Sequence, residues 1–265
     1  MKTLIWELVK LPSVFFCWVL IYNKFNKIGG VMKDKLFKIV LVVLGVVFVA
    51  SCSKKIPEMP EEKKAYVADY LNDGFNGVDI SKDGRLEKSD VEKIAANFNK
   101  PYDYNGEEVV NSLDTFFYGE SFESAQDITL KNFVANFPRK TLDPEKDKSQ
   151  IDELKKQNPS AFKKTRDDAK ILKVDKNLVD AVLLKYADIT SDDVKNKENV
   201  VYSKEDNSYY VMENDEDWAF EPVVCKVNSK EIILEDDIKS ELKLIQKGGK
   251  FFIKSFELSP NACCE

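Results

Sequence analysis

The sequence predicts an α+β protein in which a helical block precedes a helix packed on an antiparallel sheet. Two observations carry this. Apolar residues recur at helical spacing through two blocks, roughly Lys64 to Asn99 and Val109 to Phe137, and again in NLVDAVLLKY, where Leu178, Val179, Val182 and Leu183 form one stripe. After Val200 the pattern changes to short β-branched and alternating runs, VVYS, SYYVME, FEPVVCKV, EIILE, ELKLIQ and FFIKSFEL, with Asp206-Asn207 and Gly248-Gly249 placed as hairpin turns. A helix followed by such a meander predicts a layer resembling the cystatin-like or NTF2-like arrangement, a fold expectation without an activity attached.

The elements group into segments. Residues 1–31 are an upstream extension, 32–51 a signal peptide, 52–63 a tether with Pro57 and Pro60, and 64–138 the helical module. Residues 139–170 are a charged connector and 171–265 the α+β domain. With 43% hydrophobic residues, 265 residues can build a core of one or two domains.

Residues 32–52 carry an address. Lys33, Lys35 and Lys38 lead into an apolar run from Ile39 to Ala50, the layout of a secretory signal, too short to span a bilayer comfortably. Its end, Val49-Ala50-Ser51-Cys52, resembles the lipobox of bacterial lipoproteins. That resemblance implies cleavage before Cys52, diacylation of its thiol and an extracytoplasmic, membrane-anchored protein. Two acyl chains, at about 0.8 kcal/mol per buried CH₂, would hold it stably. A second apolar stretch, LPSVFFCWVLIY, precedes this signal. The expectation is that translation starts at Met32, with Lys27 to Val31 reading as a translated ribosome-binding sequence; an authentic N-terminal membrane helix is the alternative. Peptides from residues 1–27 in cells would exclude the Met32 start.

Charge and composition exclude several function classes. Seven of the 40 basic and two of the 46 acidic residues precede Cys52, so the remainder holds 33 basic against 44 acidic residues, a net charge of -11. That surface repels phosphate backbones, and nucleic acid is not expected as a partner. The chain contains no histidine, which removes Ser-His and Cys-His pairs and imidazole zinc sites. No catalytic motif is visible and an enzyme is not expected; a carboxylate-dependent envelope hydrolase ranks last.

The stretch DISKDGRLEKSD, residues 79–90, is the candidate site. With Gly84 at the sixth place, Asp79, Ser81, Asp83, Arg85, Glu87 and Asp90 fall at places 1, 3, 5, 7, 9 and 12, and Leu86 at the eighth. Arg85 contributes its carbonyl only. Apolar residues frame the loop on both sides: Leu71, Phe75 and Val78 before it, Val91, Ile94, Ala95 and Phe98 after it. This stretch resembles the EF-hand family, which implies calcium as the ligand. Asp90 in place of the usual bidentate Glu implies an affinity of roughly 10⁻⁴ to 10⁻³ M, with magnesium as a competitor. EF-hands occur in pairs. The second block, SFESAQDITLKN between Leu113, Phe117 and Phe133, Phe137, resembles a degenerate partner with Ser121 and Asn132 at its ends and Ile128 beside Leu86. The alternative for the first loop is an N-capped helix without metal.

Cys225, Cys263 and Cys264 remain after processing, and a bridge from Cys225 to one of the terminal pair is plausible in an exported protein. The aromatic residues of the strands and the acidic run Glu213 to Asp217 read as packing and a solvated loop. The leading expectation is a lipid-anchored cell-envelope protein that binds calcium structurally or as a low-affinity sensor. A surface interaction or adhesion lipoprotein with a vestigial loop is the alternative.

Overall fold

The computed structural model describes residues 61–98, 100–104, 107–109, 111–118, 120–137, 140–163, 170–213, 220–228 and 231–260. Both apolar stretches, Cys52, Cys263, Cys264 and Asn214 to Ala219 lie outside the described residues.

Six α-helices and eleven strands are present among the described residues. Helices α1 (Glu61–Tyr66) and α2 (Tyr70–Gly74) lead to β1 (Gly84–Arg85) and α3 (Lys88–Phe98). A small hairpin follows, β2 (Tyr102–Tyr104) with β3 (Glu107–Val109), then 3-10 turns at Asp114–Phe116 and Ala125–Asp127, and α4 (Leu130–Ala135). Next come β4 (Lys140–Thr141), α5 (Lys148–Gln157), β5 (Ile171–Asp175) and α6 (Lys176–Ala187). The six runs read as strands form β6 (Val201–Ser203), β7 (Ser208–Met212), β8 (Val224–Val227), β9 (Ile232–Glu235), β10 (Glu241–Lys247) and β11 (Lys250–Glu257).

These strands build two antiparallel sheets rather than one meander. The first has the order β4-β5-β7-β6, the second β1-β8-β9-β10-β11. Helix α6 packs against β5 of the first sheet and β11 of the second, so it lies between them instead of covering one face. Its ends are set locally: the Asp175 carboxylate accepts the Asn177 amide at 2.9 Å, and Asp188 takes the left-handed conformation that closes the last turn.

The inner strands β5 and β7 of the first sheet are covered on both faces, which explains the unbroken burial of β7. Leu172, Val174, Tyr209 and Val211 face the main core, whereas Ile171, Tyr210 and Met212 face a smaller one with Leu142, Leu154 and Phe162. In the second sheet a β-bulge decides which side chains point inward. Lys243 pairs with Ser255 but Leu244 with Ile253, so Lys254 is an extra residue. The inward set therefore runs Phe251, Ile253, Phe256 instead of continuing to Ser255.

The expected paired all-α EF-hand module is not what forms. The second block does not make two helices around a loop; Leu113 and Phe117 flank a 3-10 turn, and only Leu130–Ala135 is α-helical. Its aromatic residues serve a core shared with the sheet: the Phe117 ring lies 5.1 Å from Phe220 and 5.2 Å from Phe256, and Phe116 lies 6.0 Å from Tyr186 of α6. Tyr66, Leu71, Ile94, Phe137, Val182, Leu234 and Phe256 all belong to that one core. Residue Ile128 is buried there, and its neighbour Thr129 bridges in parallel to Asn196.

Candidate metal loop

The loop of residues 79–90 hangs between two anchored elements. Before it, α2 packs tightly on α3: a Cβ on Gly74 would meet the Ile94 Cα and carbonyl oxygen at 3.4 Å, so a glycine suits this close approach. The Asn72 side chain fixes α2 to the second sheet. Its Oδ1 accepts the Phe251 amide at 2.7 Å, and its Nδ2 donates to the Phe251 carbonyl at 3.3 Å. The Phe75 ring lies 4.5 Å from that of Phe251. After it, α3 starts where the Glu87 carbonyl accepts the amides of Asp90 at 3.0 Å and Val91 at 3.2 Å.

Within the loop the first half turns on Asp79. Its Oδ1 accepts the Ser81 amide at 2.9 Å, and the Ser81 side chain and amide hold the Asp79 carboxyl below the ordinary carboxylate range. Gly84 has φ of 139°, a backbone that L side chains rarely adopt. The chain then runs as β1 alongside β8, with Gly84 opposite Val227 and Arg85 opposite Lys226. The Leu86 amide donates to the Cys225 carbonyl at 2.9 Å. In an antiparallel ladder this makes Arg85–Lys226 the non-hydrogen-bonded pair, so the Arg85 carbonyl faces away from β8.

Leu86 thus pairs with β8 and not with Ile128. The sheet, and not a second loop, is therefore the backbone partner of this segment.

The side chains are placed less favourably. Asp79, Ser81, Asp83, Arg85 and Glu87 are exposed. Asp90 is half-buried, and its Oδ1 accepts from Lys93 Nζ at 2.8 Å. No group of three or more acidic, histidine or cysteine side chains converges to hold a metal among the described residues. The donor chemistry suits a hard divalent cation, with carboxylates, a hydroxyl and a carbonyl all offering oxygen. The exposed side chains can rotate toward a common centre at low cost, while Asp90 first has to leave Lys93.

Cys225 lies fully buried in β8 as a free thiol, and burial pushes it up to about 12. Its proposed bridging partners lie outside the described residues. A buried polar group that the sequence reading overlooked is centred on Asp114. It is buried together with Asn111, Ser112 and Thr115, and the polar run inside VVNSLDTFFY is its only sequence signal. Among the described residues no helix is long and apolar enough to cross a membrane. No protein family matches the chain, and neither a curated protein nor a solved structure is detectably similar to it.

Proposed function

We propose that this chain is a lipid-anchored cell-envelope protein, held by Cys52, whose loop at residues 79–90 binds calcium in a structural or low-affinity sensing role, with magnesium as a competitor. The observation that carries the reading is the backbone of the loop. Ligand places 1, 3 and 5 precede a glycine turn, the carbonyl at place 7 points away from the neighbouring strand, and the amide at place 8 is bonded to that strand. The small tie of Asp79 to the Ser81 amide supports the same geometry. The lipobox resemblance supports an extracytoplasmic loop, where calcium at millimolar concentration makes weak affinity useful.

The test is calorimetry on the full chain in detergent. At 10 mM calcium a Kd near 10⁻³ M stabilises by about 1.4 kcal/mol, read as a melting shift of about 3 to 6 °C. The shift should vanish in Asp79→Ala and Asp83→Ala. Absence of both heat and shift removes calcium from the reading.

A second reading is a surface interaction lipoprotein with a vestigial loop. It is favoured by the ion pair that engages Asp90 with Lys93 and by the lack of convergence among the loop carboxylates. Under it, calcium leaves the melting temperature unchanged. Mass spectrometry of the mature N-terminus tests the anchor: an unmodified or absent Cys52 terminus removes it.

A further inference from the structure

Asn76 and Gly77 make the turn through which α2 passes into the loop of residues 79–90. The Val78 amide donates to the Phe75 carbonyl at 3.1 Å, and Gly77 takes φ of 77° at the third place of this turn. Both residues are exposed. The Asn76 carboxamide reaches one partner, Asp73 Oδ1, from Nδ2 at 3.4 Å, which is longer than a typical N–H···O bond. The Gly77 amide donates to no group among the described residues, and a Cβ on Gly77 would meet nothing within 4 Å. A loosely held carboxamide therefore stands beside an unengaged, unshielded backbone nitrogen.

The turn at Asn207-Ser208 is a control within the same molecule, since Asn207 also precedes a small residue and has φ of 50°. There both ends of the carboxamide are tied: Nδ2 donates to Asn177 Oδ1 at 3.1 Å, and Oδ1 accepts from Tyr202 Oη at 2.9 Å. Ser208 is buried in β7 and paired with Asp175 on one side and Ser203 on the other. Among the described asparagines only Asn76 precedes a glycine; the pair Asn105-Gly106 lies outside the described residues.

We propose that Asn76-Gly77 is a site of spontaneous deamidation that remodels the entrance to the loop. The Gly77 nitrogen attacks Asn76 Cγ, the new C–N bond forms as the Cγ–Nδ2 bond breaks, and ammonia leaves with the proton that Gly77 gives up. Water then opens the succinimide. Attack at Cγ leaves aspartate, whereas attack at the backbone carbonyl leaves isoaspartate, whose main chain runs through the side chain and is one carbon longer. The sum consumes one water and releases one ammonia, with no change of oxidation state. Because the attacking nitrogen must lose its proton, the reaction quickens as pH rises. The added carbon falls between the Phe75 ring, held 4.5 Å from that of Phe251, and Asp79 at the first place of the loop. With Phe75 anchored, the lengthened link breaks the Val78 to Phe75 bond that closes the turn. The change takes place whether or not the loop binds a cation.

The test is peptide mapping by mass spectrometry on the full chain in detergent, kept folded at pH 7 and at pH 9 and sampled over days. The peptide holding Asn76 should gain the mass difference between water and ammonia and split into aspartyl and isoaspartyl forms, faster at pH 9, while the peptide holding Asn207 stays unchanged. In Asn76→Gln the conversion should be lost, because the longer side chain does not close the same ring. Amide hydrogen exchange on the isoaspartyl form should show Val78 stripped of the protection it has in the fresh chain. The proposal is overturned if Asn76 stays intact in the folded chain, if Asn76 and Asn207 convert at the same rate, or if Val78 is equally protected in both forms.

Discussion

The carboxamide of Asn72 bonds both backbone groups of Phe251, accepting its amide and donating to its carbonyl, and so completes the outer edge of β11 as a short strand would. This contact joins the helix that enters the loop to one edge of the sheet, while β1 joins the loop itself to the strand at the other side.

Asn72→Ala removes three side-chain hydrogen bonds, two to Phe251 and one from Nδ2 to Asp69 Oδ1 at 2.9 Å, and should cost roughly 1.5 to 4.5 kcal/mol, at about 0.5 to 1.5 for each. Urea unfolding measures the loss, and faster exchange of the Phe251 amide locates it. Asn72→Asp should be no better, since a carboxylate cannot donate to the Phe251 carbonyl.

Phe256→Ala should cost about 3 to 5 kcal/mol. Its ring lies within 5.2 to 6.1 Å of those of Phe117, Phe220 and Phe122, and it is 1% exposed, so the cavity cannot be filled from solvent or by one neighbour alone. Thermal unfolding of the variant checks this.

Stability should fall as pH rises from about 4 to about 8. The folded-state value of Asp114, about 8, lies above the unfolded value near 3.9, so over this interval the folded chain holds a proton that unfolding releases. The stabilisation is complete below the unfolded value and is lost through the folded one, at most about 1.4 kcal/mol per pH unit. Asp114→Asn should remove the slope and be more stable than the natural chain at pH 8. Urea melts at pH 5 and pH 8 provide the comparison.

If the loop binds calcium as proposed, Lys93→Met should tighten it roughly two- to fivefold, the worth of an exposed ion pair. The lysine now holds the Asp90 carboxylate at 2.8 Å. Titration calorimetry on the variant gives the answer, and an unchanged or weakened affinity counts against Asp90 as a ligand.

Cys225 should resist maleimide at pH 7 to 9 in the reduced folded chain and react once urea is added, because its thiol is buried and stays protonated. Mass spectrometry of the labelled peptide reads this directly.

The strands from Val201 onward were legible because alternation and the turns Asp206-Asn207 and Gly248-Gly249 are local signals. The strand Ile171–Asp175 was not, since its five residues run straight into α6 through the cap at Asp175. In the second block Leu113 and Phe117, then Phe133 and Phe137, are spaced as a helical stripe would be. Burial of those rings is real, but tertiary packing against Phe220, Phe256 and Tyr186 satisfies it from short turns. The loop spacing was readable residue by residue, whereas its partner was not. Pairing of Arg85 with Lys226 joins segments far apart in the chain, and no local pattern announces it. The buried Asp114 is equally silent, because a carboxyl with one unsatisfied oxygen is defined by what surrounds it.

The extra residue in β11 sets a rule for how this strand can change in length. Removing Lys254 would leave Ile253, Ser255 and Phe256 in strict alternation opposite Leu244, Lys243 and Leu242, and Phe256 would stay on the inward side with Phe117 and Phe220. The bulge is therefore the one place where this strand can lose a single residue in phase; a single-codon indel elsewhere in its paired stretch is a frame error in three dimensions even though the reading frame is intact.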